Sequence, residues 1–456
     1  DGSMARPLRD LAEALARDGA TVALARGEHP LATRVTIDTP RTLVGRDAGG
    51  VTLRLAAGAG LVTGATVRLQ GLGLRARVGG ADARDLPLAV TRGATVTLDD
   101  VVVEGGWDGV SVQDATLVAT RLTVRRAAHY GVSLAGTSLG LLRSLLVRDG
   151  AGAGLVAERA RVHVTEALVA AQGSQGMSLR GDGDVMGGAA DCAREDPRVM
   201  PGALDCLRDV AVVDVHGVGL ALSGRRRVDG RRLLAARTQP IGGVSGADGL
   251  YVAAGAEVTL DAGIATETMQ GRGAIFADNA RTGVVVDGGV EAGVPRSRLT
   301  LQGAWITGNA AGGAFAQANA IIPRVAFCRF VGNGGVGLGA AESVTVGAIG
   351  CNGFLATTPA TLPTVDARGQ RAPLMVGDGL SISRVRDLVV EQNTFSANER
   401  YGAVFVGATG RVENNRGEAN RFGLGAYESA ALAGLASNRV LGRETAPAAT
   451  PGVVSP

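Results

Sequence analysis

The amino-acid sequence predicts an all-β chain wound as a single-stranded right-handed parallel β-helix, a solenoid of roughly a dozen coils of about 22 residues each. Three observations lead there. Gly makes up 70 of the 456 residues while aromatics are only 3%, so the chain turns often and fills its core with small aliphatic side chains. Apolar and polar residues alternate by two over short stretches, which is the period of a strand. A marker, Gly followed by alternating apolar residues, recurs at Gly109, Gly131, Gly154 and Gly176, with spacings of 22, 23 and 22.

The elements follow in order. Residues 1–4 read as a remnant or linker ahead of the fold. Ala5 to Asp18 reads as a helix, with Leu8, Leu11 and Leu15 on one face and Gly19 as its stop. It is the natural cap for the first coil, because the open end of a stacked core must be covered. Strand-like pieces follow at Thr21–Ala25, Arg34–Ile37, Arg41–Val44 and Val51–Leu55. The phrase Gly64-Ala65-Thr66-Val67-Arg68-Leu69 then returns at Gly93 and at Gly255. The marker continues from Gly219 to Gly423, so the β-helix is expected over 5–442. Two marker intervals have about double length and predict insertions near 181–209 and 353–377. Residues 443–456, with three prolines, read as a disordered tail. Asn309, Asn333 and Asn398 each stand four residues before a marker Gly, with Asn420 nearly in line. That spacing predicts a stack of asparagine amides along one corner.

Net charge is +3 and every basic residue is Arg. The balance points to no particular partner class. The basic run at Arg225, Arg226, Arg227, Arg231 and Arg232 lacks the interleaved aromatics of single-strand binders. It reads as a solvated turn, and no nucleic-acid partner is expected. No stretch is long and apolar enough to span a membrane.

At Gln392-Asn393-Thr394-Phe395-Ser396-Ala397-Asn398, followed by Tyr401-Gly402-Ala403-Val404-Phe405, the chain resembles the coil consensus of parallel β-helix repeat proteins of the pectate-lyase-like superfamily. The opening, from Leu8–Leu15 through Gly45, resembles that group as well. The resemblance spans nearly the whole chain. It implies the fold, and it implies several activities: polysaccharide lyases, hydrolases and epimerases, and also adhesins and accessory proteins.

In polygalacturonases of that superfamily, catalytic carboxylates and a His precede the Gly-containing strand of successive coils. The matching places here hold Trp107-Asp108-Gly109 and His129-Tyr130-Gly131. By resemblance, Asp108 and His129 are the candidate acid/base pair. The adjacent aspartates and the Gly-His-Gly of those enzymes are absent, and Asp before Gly is also ordinary turn chemistry. Arg126 and Arg148, placed at one coil position, would hold substrate carboxylates. Gln175 and His216 lie at later coils of the same edge. The four His have no metal-ligand spacing, so no transition metal is expected. Asp182-Gly183-Asp184 is a candidate source of oxygen ligands for calcium.

Two functions of different class fit. One is an exported or cell-envelope protein that binds a polysaccharide along one face and, if catalytic, acts as a lyase, hydrolase or epimerase. The other is a non-catalytic structural or adhesive solenoid that binds other proteins or surface glycans. Export rests on cysteines. Cys192 and Cys206 sit 14 apart in an acidic insertion, where a disulfide clamp is the natural reading, and Cys328 and Cys351 lie one coil apart. Disulfides place the protein in the periplasm, on the cell surface or outside. Mass analysis of a non-reduced digest is expected to show Cys192 linked to Cys206; free thiols at both positions would remove the argument for export.

Overall fold

The computed structural model describes residues 10–17, 19–78, 85–91, 93–182, 204–242, 246–261, 273–290, 293–341, 343–365, 371–428 and 430–447. The chain divides into two compact units, Asp1–Val215 and His216–Pro456. Each is a parallel β-helix.

In the first unit a short strand returns once per coil, as Arg34–Ile37, Gly60–Thr63, Leu88–Val90, Val110–Gln113, Tyr130–Ala135, Ala153–Glu158 and Met177–Arg180. Each pairs in parallel with the next, for example Val110 with Val132 and Val132 with Leu155. A second sheet contains ten-residue strands, Thr95–Glu104, Thr116–Arg125, Leu139–Arg148 and Arg161–Ala170. These are two strands joined at a corner. Pairing of Thr116–Arg125 with Leu139–Arg148 skips one residue in the middle, and the skipped residues, Arg121 and Ser144, have φ of 53° and 54°. The burial rhythm slips there too: Leu117 and Ala119 point inward, then Leu122 and Val124. Each such fully buried Leu or Val contributes about 1.5–3 kcal/mol of transfer free energy. A left-handed residue is uncommon outside Gly, and the corner is held only because both neighbouring coils impose it.

The helix at the start is shorter than expected within the described residues, Leu11–Ala16. Asp10 caps it by accepting from Glu13 N at 3.0 Å. Leu11 and Leu15 are buried. Arg41, on the coil beneath, donates to the carbonyls of Leu15 and Arg17 at 3.3 and 3.1 Å and so holds the end of the helix on the stack.

The second unit repeats the plan with short strands from Leu220–Ser223 to Phe422–Tyr427, eight of them when the strand ending at Ser383 is included. The asparagine stack is present. Asn279 donates from N and Nδ2 to Asn309 Oδ1, Asn309 does the same to Asn333, and Asn398 to Asn420, at 2.8–3.2 Å. A second stack, unforeseen, runs through Asn352, Asn393, Asn415 and Asn438 with the same geometry. The core also uses aromatics: Phe330, Phe354 and Phe395 stack at 4.8 and 5.0 Å, nearly parallel.

Several expectations need correction. Cys328 and Cys351 are both free. The register pairs Ala326 with Gly350 and Arg329 with Gly353, so Cys328 faces Asn352 and the two cysteines are out of step by one. Cys328 N donates to Asn352 Oδ1 at 2.9 Å, which puts this thiol at the end of the second asparagine stack. The basic run is not a solvated turn: Arg226 is buried, and Arg227–Ala236 is a strand in which Arg227 pairs with Glu257 and Arg231 with Asp229. Gly353–Leu355 is an ordinary coil strand, and the excursion after it is an antiparallel hairpin, Ala360–Val365 with the first part of Arg371–Ser383. Leu204–Val213 is likewise a coil strand, paired with Arg161–Ala170. Residues 443–447 are packed: Arg443 and Glu444 continue backbone bonding to Asn420 and Arg421, and Ala446 packs against the cluster of Tyr401, Val404, Val406 and Phe422. Residues 448–456 and Cys192 lie outside the described residues; Cys206 is buried on its strand. Among the described residues no helix is long and apolar enough to cross a membrane.

The first asparagine stack is broken once. Thr357 faces Asn333 in the register, donates N–H to Asn398 Oδ1 at 3.1 Å, and leaves its buried hydroxyl without a partner. Thr357→Asn supplies the missing amide oxygen and is expected to add about 1 kcal/mol of stability. A thermal melt checks it, and a lowered midpoint would show that this corner cannot take the larger side chain.

Candidate functional site

The site is built at the corner that precedes the short strands Val110–Gln113 and Tyr130–Ala135. Backbone bonds lock the two coils there: Gly109 N donates to Tyr130 O, and His129 N to Trp107 O. The register brings Asp108 against the next coil, and His129 Nδ1 lies 3.0 Å from Asp108 Oδ1. The same oxygen accepts the N–H of Tyr130 at 3.2 Å. Asp108 is buried, while 38% of the His129 side chain is exposed. Burial pushes the Asp108 carboxyl above its ordinary range, against the opposing pull of His129 and the Tyr130 amide. An ionised Asp108 accepts a hydrogen bond from Nδ1–H, the tautomer that leaves the lone pair on Nε2.

Two rings flank the imidazole. Trp107 stacks on it with centroids 4.8 Å apart at 25°, and the Tyr130 ring lies 3.5 Å away, tilted by 32°. All three are partly exposed. Sequence reasoning named the residues around these rings and missed the platform they form. The available signal was an aromatic beside each of two consecutive marker glycines. On the far side, Gly152 comes so close to the His129 carbonyl that an added Cβ would lie 1.8 Å from its oxygen. Only glycine lets the next coil close up against this one.

The arginines are placed differently from expectation. Arg125, not Arg126, pairs with Arg148. The cause is one extra residue in a turn. Two residues separate Gln113 from Thr116, and three separate Ala135 from Leu139. Arg126 binds Glu104 at 3.0 Å, together with Arg125 at 2.9 Å and Arg75 at 3.4 Å. Burial raises the Glu104 pKa, but Arg125, Arg75 and Arg126 outweigh it and hold the group below its ordinary value. Arg148 pairs with Asp149 at 3.7 Å. Gln175 lies on the same corner as Tyr130, further along, where its carbonyl accepts from Gly154. His216 belongs to the second unit, where it is exposed and bridges to Gln239. Among the described residues no group of three or more His, Cys, Asp or Glu could hold a metal ion. Gly183 and Asp184 lie outside the described residues.

The Asp108 arrangement is repeated in the second unit. Asp248 Oδ1 accepts from Thr282 N at 3.1 Å and lies 3.4 Å from Arg281 Nε. Asp378 Oδ1 accepts from Tyr401 N at 3.2 Å, and Arg400 grips its carboxylate with Nε at 2.7 Å and Nη2. In each case a buried Asp before the marker Gly braces the next coil through one amide and one basic side chain. Burial raises the pKa of Asp248 and Asp378 as it does that of Asp108. Asp108 is therefore a structural brace first. What sets this corner apart is that its basic partner is a titratable imidazole between two rings.

The two carboxylates give opposite pH signs. Asp108 has a raised pKa, so the native state gains stability as pH falls from that value toward the ordinary 3.8. Glu104 has a lowered pKa, so its contribution is full above the ordinary 4.5 and is lost as pH falls through the folded value. Asp108→Asn keeps both hydrogen-bond acceptances and is expected to leave neutral-pH stability unchanged or higher. Asp108→Ala should cost about 1–3 kcal/mol. Glu104→Gln should lower stability at neutral pH and reduce its loss in acid. Denaturant titrations at several pH values check all three, and an Asp108→Asn variant as unstable as Asp108→Ala would refute the brace.

No family model matches the sequence, and no curated protein matches it significantly. Among solved structures, the chain is similar to the A-module of the Azotobacter vinelandii mannuronan C-5 epimerase AlgE4, with TM-score 0.36, 14% identity, and coverage of 94% of this chain and 91% of that one. It is similar to the catalytic domain of a GH87 alpha-1,3-glucanase, with TM-score 0.32, 10% identity, and coverage of 94% and 64%. A third is the periplasmic alginate epimerase AlgG, with TM-score 0.29, 9% identity, and coverage of 92% and 79%. Likeness at this level says nothing about shared activity, and the β-helix stands on the strand pairing itself.

Proposed function

We propose that the protein is an exported or cell-envelope β-helix that binds a polysaccharide at the Trp107–His129–Tyr130 platform. The observation that carries this reading is the three-ring stack itself. In a chain with 3% aromatics, these rings stay partly exposed beside a buried carboxylate. Flat partly apolar rings with a few fixed polar groups are what a pyranose ring requires, since it presents C–H faces and hydroxyl edges. Arg126 and Arg148, both about half-exposed, offer guanidinium groups along this edge that suit the carboxylates of an acidic polymer.

On the catalytic reading, His129 Nε2 exchanges a proton with the bound sugar. A second reading, binding without turnover, draws on the repeated corners. Asp248 with Arg281, and Asp378 with Arg400, show that an Asp with a basic partner serves here as architecture. Turnover separates the two readings and binding does not.

Calorimetric titration of oligouronates into the intact protein should show binding that Trp107→Ala weakens by about tenfold or more, or roughly 1.4 kcal/mol. His129→Ala should weaken it as well. If His129 acts as acid or base, new reducing ends, unsaturated ends or epimerised residues appear and vanish in His129→Gln while binding persists. Binding that ignores Trp107→Ala would overturn the proposal.

A further inference from the structure

All four tyrosines of the chain, at 130, 251, 401 and 427, stand on short strands. In the second unit one of them belongs to a polar cluster that the first site does not use. The outward residues of successive strands are Tyr251, Val285, Phe315 and Gly339, in register. Val285 is buried between its two aromatic neighbours. The Phe315 ring lies over Gly339, where an added Cβ would come within 2.5 Å of it. Two residues along, on the same face, Asp287 faces Gln317. The Tyr251 hydroxyl and the Gln317 amide both donate to Asp287 Oδ2 at 3.2 Å, and Gly289 N donates to Oδ1 at 2.9 Å.

The chemistry of this cluster is specific. Asp287 is held by three donors, so it fixes the tyrosine and the glutamine in place. That leaves the Gln317 carbonyl and the Tyr251 oxygen lone pairs available on the strand face that also carries the Phe315 ring, which packs close over Gly339. A preorganised hydroxyl-binding edge beside an apolar ring face is the layout that recognises a pyranose. The side chains of Tyr251, Phe315, Asp287 and Gln317 are all only partly buried. Arg281, half-exposed, pairs with Asp248 at 3.4 Å, three residues before Tyr251.

We propose that Tyr251, Phe315, Gln317 and Asp287 form a second saccharide-binding subsite, in the second unit, that holds one pyranose residue flat on Phe315 with its hydroxyls on Gln317 and Tyr251. This rests on the polysaccharide reading above and adds a separate site to it. Asp287 is a positioning residue for the two that touch the sugar.

The test is calorimetric titration of the full chain with a short oligouronate and with a neutral glucan oligosaccharide of equal length. The native protein is expected to bind two short oligosaccharides per chain. Phe315→Ala with Gln317→Ala should bind one, and Phe315→Tyr should restore the second. A melting curve for each variant shows that it is folded, and Gln317→Ala alone, at a partly exposed position, gives a milder version with a severalfold weaker second site. A stoichiometry unchanged by the double variant overturns the subsite while leaving the Trp107 platform standing. Absence of binding to either oligosaccharide by the native protein overturns both.

Discussion

Each coil of this protein supplies the backbone partners for the next, and that obligation shapes everything else. Parallel strands leave no freedom in register once the inward rows of Val and Leu are buried. The chain must therefore turn at the same places in every coil. At one of these corners Asp100, Arg121, Ser144, Glu166 and Asp209 all take φ between 51° and 58°. At others the turn buries polar backbone, and a side chain must satisfy it. Asparagine does this in two stacks of the second unit, donating to a carbonyl of the preceding coil and to the amide oxygen of the next. Aspartate does it before the marker glycines, at Asp108, Asp248 and Asp378. The candidate site is one such corner with an unusual partner.

That origin explains the double character of Asp108. A carboxylate drawn into a corner by a backbone amide is desolvated and prefers its proton. A basic neighbour on the next coil offsets the cost. Arg400 does so with two nitrogens on Asp378. His129 does so with one, and keeps its other nitrogen for solvent or ligand. The geometry of an acid/base pair and the geometry of a corner brace are thus the same geometry. The identity of the partner decides between them: only at this corner, among the three, is it an imidazole, and here it lies stacked against two partly exposed rings.

Much of this was legible in the sequence because the solenoid period is a register. The spacing of 22 between Gly109 and Gly131 places Asp108 beside His129, and the structure has them 3.0 Å apart. The spacing before marker glycines finds the Asn309–Asn333 stack. What failed was reasoning about positions after a turn of variable length. One extra residue between Ala135 and Leu139 shifts Arg148 onto Arg125 instead of Arg126, and a one-residue offset parts Cys328 from Cys351. The second asparagine stack begins at Asn352, directly after Cys351, and its members were not aligned to the marker glycines. The phenylalanine row was hidden by composition: a 3% average is uninformative when three of the eight Phe stack in one column. The Glu104 knot needed Arg75 from the coil before and the adjacent pair Arg125 and Arg126 from the coil after, and no local pattern announces that.

The claim on which the functional account turns is that the Trp107–His129–Tyr130 corner receives a sugar ring. The most direct measurement is a crystal structure of the protein soaked with an acidic oligosaccharide. The account predicts a pyranose lying against the Trp107 indole at van der Waals distance, about 3.5–4 Å, with a ring oxygen or hydroxyl within hydrogen-bond reach of His129 Nε2. A saccharide bound elsewhere with this platform bare, or a platform closed over by a rearranged Trp107, would contradict it.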